Sequence, residues 1–198
     1  MIIPNKKPPK FSSDWSHQIR TIWPNYVFPL LKRQEPLNWL ELGSFEGRSA
    51  LWTVENMFLH PASRITCVDV WETWIVFQDK TNYSYESVFD SNISGIPQIV
   101  KRKGTAREVL PTLPPRSFHG CYIDTSHEED DTLAEARLAL PLMLPGAMII
   151  FDDYEWSEGP GVKKAVNHLR DEWSQMAQLR YLGYQAVFRI NPARDTPG

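Results

Sequence analysis

The stretch LELGSFEGRSALW, Leu40 to Trp52, changes hydrophobic period in its middle. LNWLELG (Leu37 to Gly43) is an apolar run of strand length, and RSALWTVENMFL, from Arg48 on, has helical period. Between them lies a short turn with Gly43 and Gly47 spaced G-x-x-x-G. A dinucleotide fingerprint would be G-x-G-x-x-G, whose second glycine lets the backbone approach a pyrophosphate. Phe45 stands at that position, so a nicotinamide-dependent oxidoreductase is disfavoured, and no Tyr-x-x-x-Lys pair supports one. An ordinary strand-to-helix turn would use the same two glycines for backbone geometry and place Ser49 in a first helical turn.

The same alternation continues outward. Strands are expected at RITCVDV (Arg64 to Val70), QIVKRKG (Gln98 to Gly104), FHGCYID (Phe118 to Asp124) and AMIIFDD (Ala147 to Asp153). Helices AREVLPTL, DTLAEARLALPLM and GVKKAVNHLRDEW fill the later gaps, with Pro111 and Pro141 ending or bending two of them. Strands alternating with helices predict βα units and a mostly parallel sheet. The last runs, AQLRYLG and YQAVFRI, are almost contiguous and predict an antiparallel hairpin. The expected fold class is therefore α/β, a doubly wound, Rossmann-like, seven-stranded sheet with an antiparallel final hairpin. It is read as one domain over 1–198, with a helical cap over 1–35, a variable insert over 71–95 and a frayed tail over 192–198.

Composition narrows the function classes. Hydrophobic residues make up 42% and charged residues 23%, near the averages of globular proteins. The net charge is -3, with no basic block, so nucleic acid is not an expected partner. No apolar run approaches the ~20 residues of a membrane span, and the N-terminus has no signal-peptide core, which predicts a cytoplasmic protein without a membrane partner. Cys67 and Cys121 each lie in a strand-like run, no CxxC occurs, and the five histidines show no HExxH spacing, so a zinc site is not expected. The oligomeric state is open, a homodimer among the options.

With its E-x-G-x-x-x-G-x-S pattern, the opening stretch resembles motif I of class I S-adenosylmethionine (SAM)-dependent methyltransferases. The resemblance implies that Glu41, Gly43, Ser44, Gly47 and Ser49 line the methionine end of SAM. A turn poor in glycine and containing acids also suits a ligand with a sulfonium cation and no phosphate. Asp69, with Val70 beside it, ends strand two where an acid hydrogen-bonds a ribose in nucleoside-binding sheets. Thr105 and Ala106 follow strand three, where the family places small residues under the adenine; a helix N-cap at Thr105 is an equally good local explanation.

Strand four ends in YIDTSH and strand five in FDDYEW, which predicts Asp124, His127, Asp152 and Asp153 on adjacent loops over one crevice. Three converging carboxylates repel unless protonated or shared by a cation, and oxygen ligands suit Mg²⁺ or a similar divalent ion. D-x-x-H followed by DDY resembles the macrocin O-methyltransferase type and, less closely, the catechol type. That resemblance implies Asp124, Asp152 and Asp153 as metal ligands, with Asp124 also beside the cofactor. The catechol type has asparagine where Asp153 stands, and some macrolide enzymes have histidine where this chain has Glu155. His127, three residues after Asp124, is a general base for a substrate hydroxyl, a metal or adenosine contact, or a structural loop residue. Glu128 to Asp131 suit a helix start.

Together these readings predict SAM-dependent O-methylation of a small-molecule acceptor, a phenolic or sugar hydroxyl, assisted by a divalent metal. Trp71, Trp74, Phe77, Tyr83, Tyr85, Tyr154 and Trp156 would either wall the acceptor or belong to the core. The rival within the fold is a SAM-binding protein without methyl transfer, such as a cephalosporin-hydroxylase-like relative or a sensing module.

Overall fold

The computed structural model describes residues 8–72 and 84–192. Residues 1–7 of the expected cap, residues 73–83 of the expected insert, with Trp74, Phe77 and Tyr83, and residues 193–198 of the expected tail lie outside the described residues.

The five apolar runs form β1 (Asn38–Leu42), β2 (Arg64–Asp69), β3 (Ile99–Lys103), β4 (Phe118–Ile123) and β5 (Met143–Phe151), and the last two form β6 (Ala177–Leu182) and β7 (Ala186–Ile190). They make one seven-stranded sheet in the order β3-β2-β1-β4-β5-β7-β6. The first five strands are parallel, and β7 runs antiparallel to both β5 and β6. This is the Rossmann-like sheet with a reversed final hairpin that the alternation predicted. β5 begins at Met143, ahead of the expected Ala147, because Met143 pairs with Phe118 before a register shift in β4.

Strand alternation sends successive side chains to two separate cores. Leu40, Leu42, Cys121, Ile123 and Phe151 face the core covered by α4 (Ala106–Val109), α5 (Glu129–Ala139) and α6 (Gly161–Glu172). Trp39, Cys67, Tyr122 and Ile150 face the one covered by α1 (His17–Tyr26), α2 (Arg48–Asn56) and α3 (Tyr85–Ile93). Both cysteines are free and buried, as small packing residues.

Tryptophans anchor the second core. The Trp23 ring lies 5.5 Å from Trp39, 5.3 Å from Tyr122 and 6.0 Å from Trp52, centroid to centroid; such pairs contribute about 0.5–1.5 kcal/mol each beyond their burial. Gly120 makes room for this cluster, since a Cβ there would lie 2.2 Å from the Trp39 ring. Within the region expected as a variable, irregularly helical insert, α3 is a regular helix, N-capped by the Ser84 side chain and packed through Phe89. It serves as crossover helix between β2 and β3. AREVLPTL yields a single α turn and a 3-10 turn, and α5 gives way to a 3-10 turn at Leu140–Leu142; Pro111 and Pro141 sit in those two turns.

Candidate active site

The carboxyl ends of β1, β4 and β5 are neighbours, and candidate functional side chains collect there. Gly43 leaves β1 with φ +82°, and a Cβ on it would lie 1.6 Å from the Asp124 carbonyl oxygen. Only glycine permits that approach, which joins the turn after β1 to the end of β4. The next two amides, of Ser44 and Phe45, each donate to Asp69 Oδ2 over 2.8 Å, and Trp71 N donates to Oδ1 over 2.7 Å. Asp69 therefore braces the glycine turn, with lone pairs left for a further donor. Gly47, with φ +81°, stacks on α3, where a Cβ would meet Phe89 at 3.0 Å.

A cleft of about 430 Å³, open to solvent, lies over this turn. Of the expected cofactor residues, Gly43, Ser44, Ser49 and Asp124 line it. Glu41 is fully buried on the adjoining strand, and burial pushes its carboxyl up to about 8. Asp69, Val70, Thr105 and Ala106 stand at the ends of β2 and β3, outside that lining. There Gly104 N donates to the Asp69 carbonyl, and Thr105 forms a capping box with Glu108 that takes up both its amide and its hydroxyl.

The cleft also has walls that sequence reasoning missed. Ser13, Trp15, Ser16 and Ile19 come over it from the N-terminal segment, and Arg48 and Tyr122 complete it. The segment is pinned by Ser12 N donating to Glu46 Oε2 (2.7 Å) and Arg48 Nε donating to the Ser13 carbonyl (3.1 Å). Nothing local in the sequence announced these contacts. Ser13 Oγ is shielded from solvent without a hydrogen bond among the described residues, and the Ser44 and Ser49 hydroxyls are turned to the buried Glu41 carboxyl. An orphaned hydroxyl at a cleft fits a polar ligand, and the acids lining it, Glu46 and Asp124, fit one bearing cations; the residues present thus suit SAM.

Beside the cleft, Asp124, His127 and Asp153 bring one ligand atom each within 4.8 Å of one another. His127 Nε2 lies 3.3 Å from Asp124 Oδ1 and 3.0 Å from Asp153 Oδ2. Left-handed backbone at His127 (φ 63°) and Asp153 (φ 57°) turns both side chains toward the trio. Burial pulls the imidazole down, but bonding and charge from the two carboxylates outweigh it and hold His127 up at about 10. The imidazolium is thus one cation that offsets the acids' repulsion. Asp153 is held below its ordinary value by His127, against its own burial.

Asp152, expected as a ligand, sits below this trio. Alternation through Met148 and Ile150 carries it to the inner face, where its Oδ2 accepts from the Tyr122 hydroxyl and its Oδ1 from Gln185 Nε2 (3.1 Å) and Asp153 N (3.0 Å). Burial, then the Asp124 charge, pushes it up to about 7. His127 takes the third place in the cluster. Of the aromatics expected at an acceptor site, Trp71, Tyr85 and Tyr154 are buried in packing, and Trp156 reaches the trio, edge-on to His127 at 5.0 Å. Trp15, 59% exposed and 5.4 Å from Phe45, is an aromatic wall absent from the sequence reading.

A sheet of this order, with a glycine turn after its central strand and acids after β4 and β5, defines the class I methyltransferase architecture. A family model described as a methyltransferase domain matches residues 40–154, more than half of the chain. The chain belongs to that family and is a SAM-dependent methyltransferase. No curated protein matches it in sequence. Among solved structures it is similar to an O-methyltransferase from Bacillus cereus in complex with SAH, at 19% identity and TM-score 0.55, covering 78% of this chain and 73% of that one. The O-methyltransferase TomG from Streptomyces achromogenes, involved in tomaymycin synthesis, gives 20% identity and TM-score 0.59 over 80% of this chain and 74% of that one. CalS11, a TDP-rhamnose 3'-O-methyltransferase of calicheamicin biosynthesis, gives 22% and 0.51 over 78% and 71%. No described helix is long and apolar enough to cross a membrane.

Proposed function

We propose that this methyltransferase transfers the SAM methyl group to a hydroxyl of a small molecule, phenolic or sugar, at a divalent-ion site held by Asp124, His127 and Asp153. The observation that carries the reading is the convergence of these three side chains beside the cofactor cleft, with Asp124 common to both. The similarity to solved O-methyltransferases, including one that acts on a sugar nucleotide, supports the choice of acceptor class.

SAM supplies an electrophilic methyl on a sulfonium. A divalent ion at the trio would lower the pKa of a bound hydroxyl. The chain's own contribution is then mostly placement, which can supply about 7–11 kcal/mol of a barrier. Glu41, Gly43, Ser44 and Ser49 seat the methionine end, while Asp69, Val70, Thr105 and Ala106 flank the nucleoside end. Tyr122, whose hydroxyl lies 3.3 Å from Asp124 Oδ2, orients that carboxylate. Trp15 and Trp156 wall the acceptor. Without a divalent ion, His127 keeps its proton at Nε2, so it acts there as a cation and not as the general base.

The test is methyl transfer from SAM to a panel of phenols and sugar nucleotides, read as S-adenosylhomocysteine (SAH) formed, with Mg²⁺ and after exhaustive chelation. Turnover on at least one hydroxyl acceptor, suppressed by chelation with SAM affinity retained, is the expected result. Full turnover after chelation would remove the metal, and SAM binding without turnover on any hydroxyl would favour a different acceptor class.

A further inference from the structure

We propose that Arg48 is the partner of the α-carboxylate of the cofactor, so that this cleft selects nucleosides carrying an amino-acid tail over those lacking its carboxylate. The inference deepens the reading of the cleft as a SAM site and rests on it. The first argument is charge. The ionisable side chains lining the cleft are Glu46, Arg48 and Asp124, with Glu41 buried nearby, so the single cation among the described lining residues is Arg48. SAM brings an ammonium, a sulfonium and one carboxylate; Glu46 and Asp124 can answer the first two, and the carboxylate is left for Arg48.

The second argument is that Arg48 is placed and still has capacity. Its Nε donates to the Ser13 carbonyl, and its guanidinium lies over the Phe11 ring at 4.0 Å from the centroid. Those contacts fix the plane of the fork. Asp14, which lies 3.5 Å from Nη1, is already engaged by Arg20 at 2.7 Å and by the amide and hydroxyl of Ser16. A guanidinium has five N–H donors in a rigid fork that matches a carboxylate, so donors remain.

The third argument comes from an unanswered polar atom. Ser13 lines the same cleft, and its hydroxyl is shielded from solvent with no hydrogen bond among the described residues, while the Ser44 hydroxyl beside it is turned to the buried Glu41. Arg48 is also the first residue of α2, so its neighbour Ser49 presents a helix N-terminus to the same space. The shielded Ser13 hydroxyl, the remaining donors of the guanidinium and the positive end of a helix form an anion seat that no described residue fills.

Calorimetry on the full chain tests this with two ligands that differ by one group, SAH and its decarboxylated analogue S-adenosyl-3-thiopropylamine. Wild type should prefer SAH. Arg48→Gln should weaken SAH by about ten- to a hundredfold, the range for a hydrogen-bonded charged group, while leaving the amine unchanged, and Arg48→Lys should recover part of the loss. Thermal unfolding of each variant checks that it is folded. An equal loss for both ligands would mean that Arg48 only pins the Phe11–Ser13 segment, and no loss would mean that the carboxylate lies elsewhere; either overturns the proposal. Binding of neither ligand by wild type would overturn the cofactor reading and this proposal with it, whereas the other two failures leave the cofactor reading standing.

Discussion

Extended backbone through Phe151 carries Asp152 to the inner face, and a left-handed residue at 153 swings the next carboxylate out to His127. Two adjacent aspartates thereby acquire different chemistry. Asp153→Ala is expected to lower Mn²⁺ affinity by more than tenfold in calorimetry, with SAH affinity largely kept. Asp152→Ala would leave the buried Gln185 amide without its acceptor and the Tyr122 hydroxyl with only its longer contact to Asp124, at a cost of about 1–3 kcal/mol in urea unfolding. Equal effects of the two substitutions on Mn²⁺ binding would refute this division. Gly43 is the second single-residue test. Alanine there would meet the Asp124 carbonyl at 1.6 Å in a left-handed backbone, so Gly43→Ala should lose at least about 2 kcal/mol of stability together with SAH binding. A variant that unfolds and binds like wild type would show that the turn tolerates a side chain.

Between elements, the tight contact of α6 with the loop after β4 positions His127. A Cβ on Gly161 would lie 2.2 Å from the His127 carbonyl oxygen and 2.7 Å from Glu129 N. By helix propensity alone, alanine in place of glycine should stabilise α6, by up to about 1 kcal/mol. The packing argument gives the opposite sign. Gly161→Ala is expected to lower the melting temperature and to weaken Mn²⁺ binding several-fold by pushing the His127 loop away from Asp153. A rise in melting temperature with unchanged ion affinity would show that the helix start and loop separate freely. The hairpin is tied in the same manner. Trp23 Nε1 of α1 donates to Gln185 Oε1, whose amide in turn donates to Asp152, so the N-terminal helix, the β6-β7 hairpin and the end of β5 share one buried chain of hydrogen bonds.

Across the whole molecule, several displaced proton affinities act with one sign. Glu41 (about 8), Asp152 (about 7) and Glu135 (about 7) are raised, in each case first by burial. An acid raised on folding destabilises as pH climbs from its ordinary value through the raised one, because the unfolded chain releases its proton first. His127, held up at about 10, contributes stability that is complete below about 6.5 and lost as pH rises through 10. At the acid end, Asp14, drawn down to about 2 chiefly by Arg20, loses its contribution as pH falls below its ordinary 3.8. Without divalent ions the protein should therefore be most stable near pH 5, and less stable at pH 9, by urea titration. Divalent-ion binding must expel the His127 proton, so the thermal shift produced by Mn²⁺ should grow from pH 6 to pH 9. A shift that is constant with pH would exclude His127 as a ligand.

The sheet was legible because periodicity is a local property. Two-residue alternation and 3.6-residue spacing mark strands and helices wherever they occur, and the near-contiguous final runs leave room only for a hairpin. The glycine turn was legible for the same reason, since Gly43 and Gly47 each occupy a backbone conformation that few other residues adopt. Alternation even held the signal that Asp152 shares a face with Met148 and Ile150, although the acid pair read as a unit concealed it. Tertiary structure alone decided the rest. Arg48 reaches Ser13, Trp15 comes to lie on Phe45, and Gln185 bridges Trp23 to Asp152 across large separations in sequence. Contacts of that kind depend on how helices dock on the sheet, and docking is fixed by the shapes of many side chains together. The trio of Asp124, His127 and Asp153 lies between these extremes: the sequence set its residues on adjacent loops, and two left-handed residues in the folded chain turned His127 in and left Asp152 beneath.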